Sequence, residues 1–226
     1  MKNNRSRYLF AAALLLPLFL FLQIVFAKEE KVVYITFDDG PTLNTPQILK
    51  TLEEYGAKAT FFVLEERIIQ YPDYIKQIHH SSNALGLHGV SHSERIYYTP
   101  TSPLEEMEKT NSSLKFLLGE GSPLVRVPFG SSYKLTKEQA KNLTDRGYII
   151  WDWNVDPRDS VGKIVPEKVM ANLRRDLGKC KGTPVILLHD RKSTAQLLPQ
   201  MLEYLTEEGY TMLPITGNEI PINHLK

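Results

Sequence analysis

Two neighbouring carboxylates, Asp38 and Asp39, stand at the end of an apolar, β-rich run from Val32 to Phe37, and Gly40-Pro41 stops that run at once. Carboxylates held side by side at a strand end repel each other unless a cation lies between them, so one of the pair is expected to be shared with a positive group. The same residues also read as an ordinary turn, because Asp-Gly and Gly-Pro are turn chemistry. Later stretches decide between the two. His88-Gly89-Val90-Ser91-His92 places two imidazoles four residues apart. On a helical turn they point the same way, as a metal requires. With Asp39 they make a two-histidine, one-carboxylate set that leaves positions open for water and substrate. No cysteine is at hand to build a closed thiolate site, so a metal here is expected to be catalytic rather than structural.

Three more stretches carry candidate groups. Arg126 precedes the rigid Pro128-Phe129-Gly130 turn and could hold Asp38 ionised and oriented, or could be a salt bridge to any acid. Asp156-Pro157-Arg158-Asp159 is an acid-rich loop that by itself could be surface. Leu187-Leu188-His189-Asp190 ends an apolar strand in an imidazole, a placement that suits a general acid. His79, His80 and His224 fall on a helix or in the tail and read as solvated surface residues.

The elements that must position these groups alternate. Strands are expected at 32–37, 59–64, 84–87, 124–127, 148–153, 185–188 and 211–215. Helices are expected after Asn44 or Thr45, over 72–80, and from a capping-box pattern at Ser102 to Glu105 up to Gly119. Further helices run from the cap Thr136 to about Gly147, from Pro166, and over 196–209. Seven strand–helix alternations argue for parallel βαβ units. In a barrel of such units the chemistry lies just after the carboxyl ends of the strands, and that is where Asp38, Asp39, His88, His92, Arg126, Asp156, Asp159 and His189 fall.

The 226 residues suit one domain with a single core. Lys and Arg number 27 against 26 Asp and Glu, which removes any electrostatic case for nucleic acid. Lys2, Arg5 and Arg7 precede an apolar run, residues 8–26, that closes on the small-x-small triplet Val25-Phe26-Ala27. Residues 1–27 are therefore expected to be a signal peptide or an N-terminal membrane anchor, the run being long enough for either. In both cases residues 28–226 are expected outside, secreted or held on the outer face of the cytoplasmic membrane. Cys180 is the single cysteine, so no intrachain disulfide forms and the exported fold must rest on its core. A monomer is expected.

Taken in order, Thr36-Phe37-Asp38-Asp39-Gly40-Pro41, His88-x-x-x-His92, Arg126-x-Pro128-Phe129-Gly130, Asp156-x-x-Asp159 and Leu188-His189-Asp190 resemble the five motifs of the NodB-homology polysaccharide deacetylases, carbohydrate esterase family 4. The resemblance covers about residues 31–216 and implies an α/β fold, a distorted (β/α)7 barrel. It implies metal-dependent removal of N-acetyl groups from the sugars of an envelope glycan. Peptidoglycan or a chito-oligosaccharide-like polymer is the expected substrate. Asp39, His88 and His92 would hold one divalent ion, usually zinc, with cobalt, nickel or manganese also accepted by such a set. Asp38 would be the general base, and His189 the acid that protonates the departing amine. Arg126 would orient Asp38, and Asp159 would hold His189 charged. The Phe129 backbone N–H would donate to the oxyanion, and Leu187 would line the acetyl pocket. Two positions depart from the family pattern. Gly89 stands where Ser or Thr is usual, and Ser160 where an exposed Trp often walls the pocket. Without that Trp the pocket is expected to be open, unless Trp153 swings in. The rival reading is an exported glycan-binding protein of the same fold without turnover.

Overall fold

The structure, a computed structural model, describes residues 31–225; the signal or anchor expected over residues 1–27 lies outside them. Within the described residues seven strands form one parallel sheet. They are β1 (Lys31–Gly40), β2 (Thr60–Val63), β3 (Ala84–Leu87), β4 (Leu124–Val125), β5 (Ile149–Ile150), β6 (Val185–His189) and β7 (Tyr210–Leu213). The order is β5-β4-β3-β2-β1-β6, and β7 pairs with the first half of β1. β1 thus touches three strands, with β6 alongside its second half, Tyr34 to Asp38. A single parallel bridge, Val155 to Ile186, brings the chain beyond β5 against β6, the other edge of the sheet. Asn154 reinforces the seam, its amide oxygen accepting from the Val185 N–H at 2.7 Å. The curled sheet is the expected distorted barrel.

Among the described residues eight helices connect the strands: α1 (Thr45–Glu54), α2 (Glu65–Gln70), α3 (Pro72–His80), α4 (Ser102–Leu118), α5 (Ser131–Lys134), α6 (Lys137–Asp145), α7 (Pro166–Lys179) and α8 (Lys192–Glu207). Among the described residues no helix is long and apolar enough to cross a membrane. The longer helices form because apolar residues recur at helical spacing: Val169, Met170, Leu173 and Leu177 are the buried face of α7. Sequence reasoning found most helices but not α2, α5 or a 3₁₀ turn at Glu94–Tyr97, each too short to show periodicity. The capping box at Ser102 does not form: Thr101 is the N-cap, without a side-chain bond, and the Ser102 hydroxyl pairs with Thr99 instead. Thr136 with Gln139 is the box that does form.

The largest differences from expectation are in β4 and β5, each only two residues long where four and six were expected. Their missing ends are diverted to the buried Arg126. Its guanidinium donates to the carbonyls of Trp151 (3.1 Å) and Asp152 (2.8 Å), which would otherwise extend the β5 ladder. The carbonyl of Arg126 itself turns to the His88 ring at 2.6 Å. The strands stop where the site begins. Beneath it lies the core, with Phe37 stacked on Phe61 at 5.0 Å and Ile35, Leu87, Val125, Ile150 and Leu188 buried around them.

Candidate active site

The site begins with β1. Residues alternate faces along a strand, so Thr36 and Asp38 share one face, the face opposite Phe37. Parallel pairing sets Asp38 beside His189 and Thr36 beside Leu187. Asp38 is 3% exposed, and its Oδ1 accepts from the Arg126 guanidinium at 2.9 Å. The same nitrogen donates to the Thr36 hydroxyl at 2.6 Å. The cation that the carboxylate pair demands is therefore Arg126, itself wholly buried over the Phe62 ring.

Asp39 follows with φ +69, a left-handed value that few non-glycine residues adopt. That turn sends its carboxylate away from Asp38 and toward the histidines. His88 Nε2 lies 3.6 Å from Asp39 Oδ1, and His92 Nε2 lies 3.7 Å from the same oxygen. The expected helical turn is absent. Residues 88–92 are a loop, and left-handed geometry at Gly89 (φ +86) and His92 (φ +55) makes the two rings converge. Ligand atoms around a tetrahedral ion with bonds of about 2.0–2.1 Å lie roughly 3.4 Å apart. The three atoms here lie within 4.8 Å of one another. His88 Nε2 and Asp39 Oδ1 are buried without any hydrogen-bond partner, a costly state that an ion relieves. The Arg126 carbonyl accepts from His88 Nδ1, which leaves Nε2 as the bare nitrogen, open to a ligand. These residues fit a divalent ion. Burial alone raises the Asp39 carboxyl, but His88, His92, His189 and Arg191 outweigh it and hold it below its ordinary range.

On the opposite wall, His189 Nδ1 sits 2.9 Å from Asp159 Oδ1. Asp159 is wholly buried, and its other oxygen accepts from the His189 N–H (2.8 Å) and the Thr194 hydroxyl (2.5 Å). Burial favours the neutral ring, but the bond to Asp159 and the charges of Asp159, Asp38 and Asp39 prevail and raise the His189 pKa. Its Nε2 faces the Ser160 hydroxyl at 3.4 Å. Leu187 is buried one step down the strand on the same side as His189. Phe129 has φ +65, and among the described residues no group accepts from its N–H. Asp156 does not join the carboxylates. Its side chain accepts from the Arg158 N–H at 2.8 Å, forming the loop.

Both departures from the motif pattern have a local structure. A Cβ on Gly89 would lie 2.9 Å from Glu106 Oε2 and 3.3 Å from Ile96. That same Glu106 oxygen accepts from the Val90 N–H at 2.9 Å, so a carboxylate from α4 braces the loop that a hydroxyl would otherwise brace. Trp153 has partners of its own. Its ring is held by Gly130, by the Arg126 guanidinium at 5.6 Å and by His224.

Other groups support the site in roles that the sequence did not show, Asp190 among them although its motif was read. Buried Asp190 accepts from the Thr42 and Thr45 hydroxyls (2.8 and 2.5 Å) and fixes the turn after β1. Buried Asp152 accepts from the Ser131 and His224 N–H groups, docking α5 and the tail. Arg191 reaches the outer oxygen of Asp39 at 3.4 Å. His224 is exposed as expected, yet its ring bonds the Trp153 carbonyl at 2.7 Å.

Comparison with known proteins places this arrangement. Residues 27–147 match the family model for polysaccharide deacetylase. The chain is 37% identical over 198 residues to YheN of Bacillus subtilis, covering 86% of this chain and 70% of that protein. It is 30% identical over 193 residues to a peptidoglycan-N-acetylglucosamine deacetylase of Bacillus cereus, covering 81% of this chain and 68% of that one. A crystal structure of a polysaccharide deacetylase from Bacillus cereus superposes with a TM-score of 0.78 at 28% identity, over 86% of this chain and 97% of the other. The chain belongs to the polysaccharide deacetylase family, a family of metal-dependent hydrolases.

Restoring the family-typical hydroxyl is expected to harm this protein. Gly89→Ser combines a left-handed φ with a collision against Glu106 and should cost about 1–2 kcal/mol in urea unfolding. Removing Glu106 in the same chain should recover part of that loss. A neutral Gly89→Ser substitution contradicts the crowding described.

Proposed function

We propose that this protein removes N-acetyl groups from the sugars of a cell-envelope glycan, with peptidoglycan as the favoured substrate. The observation that supports it most is the separation of three tasks around one point. Buried imidazole and carboxylate atoms without partners sit in the centre, a carboxylate oxygen lies on one side, and an imidazole paired with a buried carboxylate lies on the other. An imidazole whose protonated form is favoured by a buried carboxylate supports turnover over mere glycan binding.

Asp39, His88 and His92 would hold one divalent ion, zinc being the best match to two imidazoles and a carboxylate. Such an ion supplies a Lewis acid for the amide carbonyl and makes water easier to deprotonate. Asp38 takes the proton from the attacking water. Arg126 occupies its Oδ1 and leaves Oδ2 free, 3.7 Å from His88 Nε2. The Phe129 N–H donates to the oxygen that gains charge as the carbonyl is attacked. His189, protonated through Asp159, delivers a proton from Nε2 to the amine nitrogen, and the C–N bond breaks to give acetate and the free amine. Leu187 lies where the acetyl methyl must go, and Ser160 leaves that side open. Action outside the cytoplasmic membrane, after export directed by residues 1–27, agrees with a peptidoglycan substrate.

Asp38→Asn preserves shape but cannot accept a proton. It should retain one ion per chain while acetate release from peptidoglycan falls by about two to four orders of magnitude. Loss of the ion together with activity would make Asp38 a ligand, and activity kept near the wild-type level would exclude it as the base.

The acid has a pH signature. A raised His189 pKa keeps the donor protonated to higher pH, and activity is lost as pH rises through that value. Asp159→Asn removes the neighbouring charge and lowers the pKa. The alkaline limb of the kcat/KM profile should therefore move to lower pH. An unmoved limb, or one that moves up, excludes His189 as the acid.

A further inference from the structure

A polymer cannot be read through one sugar alone, and an aromatic path leads away from the site. The His92 ring packs edge-on against Phe129 at 4.4 Å, and Phe129 packs against Tyr133 at 5.1 Å. Both are large, and both stand open to solvent, Phe129 at 42% and Tyr133 at 46% exposure. An exposed tyrosine is usually a mobile one; this one is fixed. Its hydroxyl donates to Glu94 Oε1 at 2.7 Å, and the Lys134 ammonium donates to Glu94 Oε2 at 2.6 Å while lying 4.9 Å from the Tyr133 ring centroid. Behind it Tyr97 supports the ring at 6.3 Å, and the Tyr97 hydroxyl is tied to the Pro128 carbonyl. The short helix α5 that carries Tyr133 is anchored from beneath, because the Ser131 N–H donates to buried Asp152 at 2.9 Å.

Two elements distant in sequence, the 3₁₀ turn at Glu94–Tyr97 and α5, thus cooperate to hold a partly apolar ring at the surface beside a carboxylate and an amine. Keeping a side chain rigid and exposed costs conformational entropy with no gain in core burial. The arrangement suits a ligand with an apolar face and a hydroxylated edge. A pyranose ring is such a ligand, since its C–H face packs on an aromatic while its hydroxyls reach charged neighbours.

We infer that Tyr133, with Glu94 and Lys134, forms a subsite for a sugar of the glycan chain next to the one that is deacetylated. The inference rests on the deacetylase reading for its substrate class. A chain bound there passes over Phe129 and presents its neighbouring N-acetyl group to the centre. Tyr133 touches no reacting atom; it is a positioning residue that acts only on chains long enough to reach it.

The test uses N-acetylated chito-oligosaccharides of two and five sugars with the wild type, Tyr133→Ala and Tyr133→Phe. Calorimetric titration measures binding, and acetate release measures kcat and KM. Tyr133→Ala should weaken pentamer binding and raise its KM by about tenfold, with kcat and the dimer values changed less than twofold. Tyr133→Phe keeps the ring and should retain most of the wild-type pentamer affinity. Equal losses on both lengths, unchanged pentamer binding in Tyr133→Ala, or no pentamer binding by the wild type overturns the subsite. A pentamer bound through Tyr133 without acetate released from it or from peptidoglycan upholds the subsite and refutes the deacetylase reading.

Discussion

The structure depends on one buried cation. Arg126 is fully enclosed, and its guanidinium bonds the Asp38 carboxylate, the Thr36 hydroxyl and the carbonyls of Trp151 and Asp152. Enclosing an unpaired guanidinium is prohibitive, and removing one partner of such a pair costs about 3–5 kcal/mol. Here every direction of the fork has an acceptor, and Phe62 covers its face. The guanidinium thereby fixes the orientation of the Asp38 carboxylate in a place that water does not reach. The main chain of the same residue orients His88. One residue fixes both the proposed base and a proposed ligand, so a disturbance of Arg126 reaches both.

Function has displaced regular structure around this residue. β4 and β5 end early because their carbonyls serve Arg126 and His88. Asp39, His92, Phe129 and Arg158 all hold left-handed φ values that favour glycine. Such conformations persist only where neighbours over-determine them. Asp190 on the β1 turn, Glu106 on the histidine loop and Asp152 under α5 are those neighbours. Each is an acid set on a different element, accepting N–H or hydroxyl protons that a distorted loop cannot satisfy internally.

Much of this was legible in the sequence. The alternation of apolar runs and helical faces gave the order of strands, and their polar ends gave the residues that now face one another. Asp38, Asp39, His88, His92, Arg126, Asp159 and His189 were all named from those ends. Asp156 was named with them, but its side chain serves its own loop. What could not be read depends on contacts between distant segments. The bond from Arg126 to Asp38 spans 88 residues, and the shortening of β5 follows from the other bonds of the same guanidinium, to the Trp151 and Asp152 carbonyls. The loop at His88–His92 passed for a helical turn because spacing alone cannot show backbone handedness. Glu106 looked like any acid on a helix, and Tyr133 like any surface aromatic. Only the fold sets the first against Gly89 and the second beside Phe129.

The central claim is that one divalent ion is held by Asp39, His88 and His92 while Asp38 remains free to take a proton. Anomalous X-ray scattering at the zinc edge, from crystals grown with zinc and acetate, tests it most directly. The account predicts one strong peak per chain, about 2.0–2.2 Å from His88 Nε2, His92 Nε2 and an Asp39 oxygen, with Asp38 still paired to Arg126 and outside bonding distance. A peak bonded to Asp38, or a principal peak away from these three residues, would contradict it.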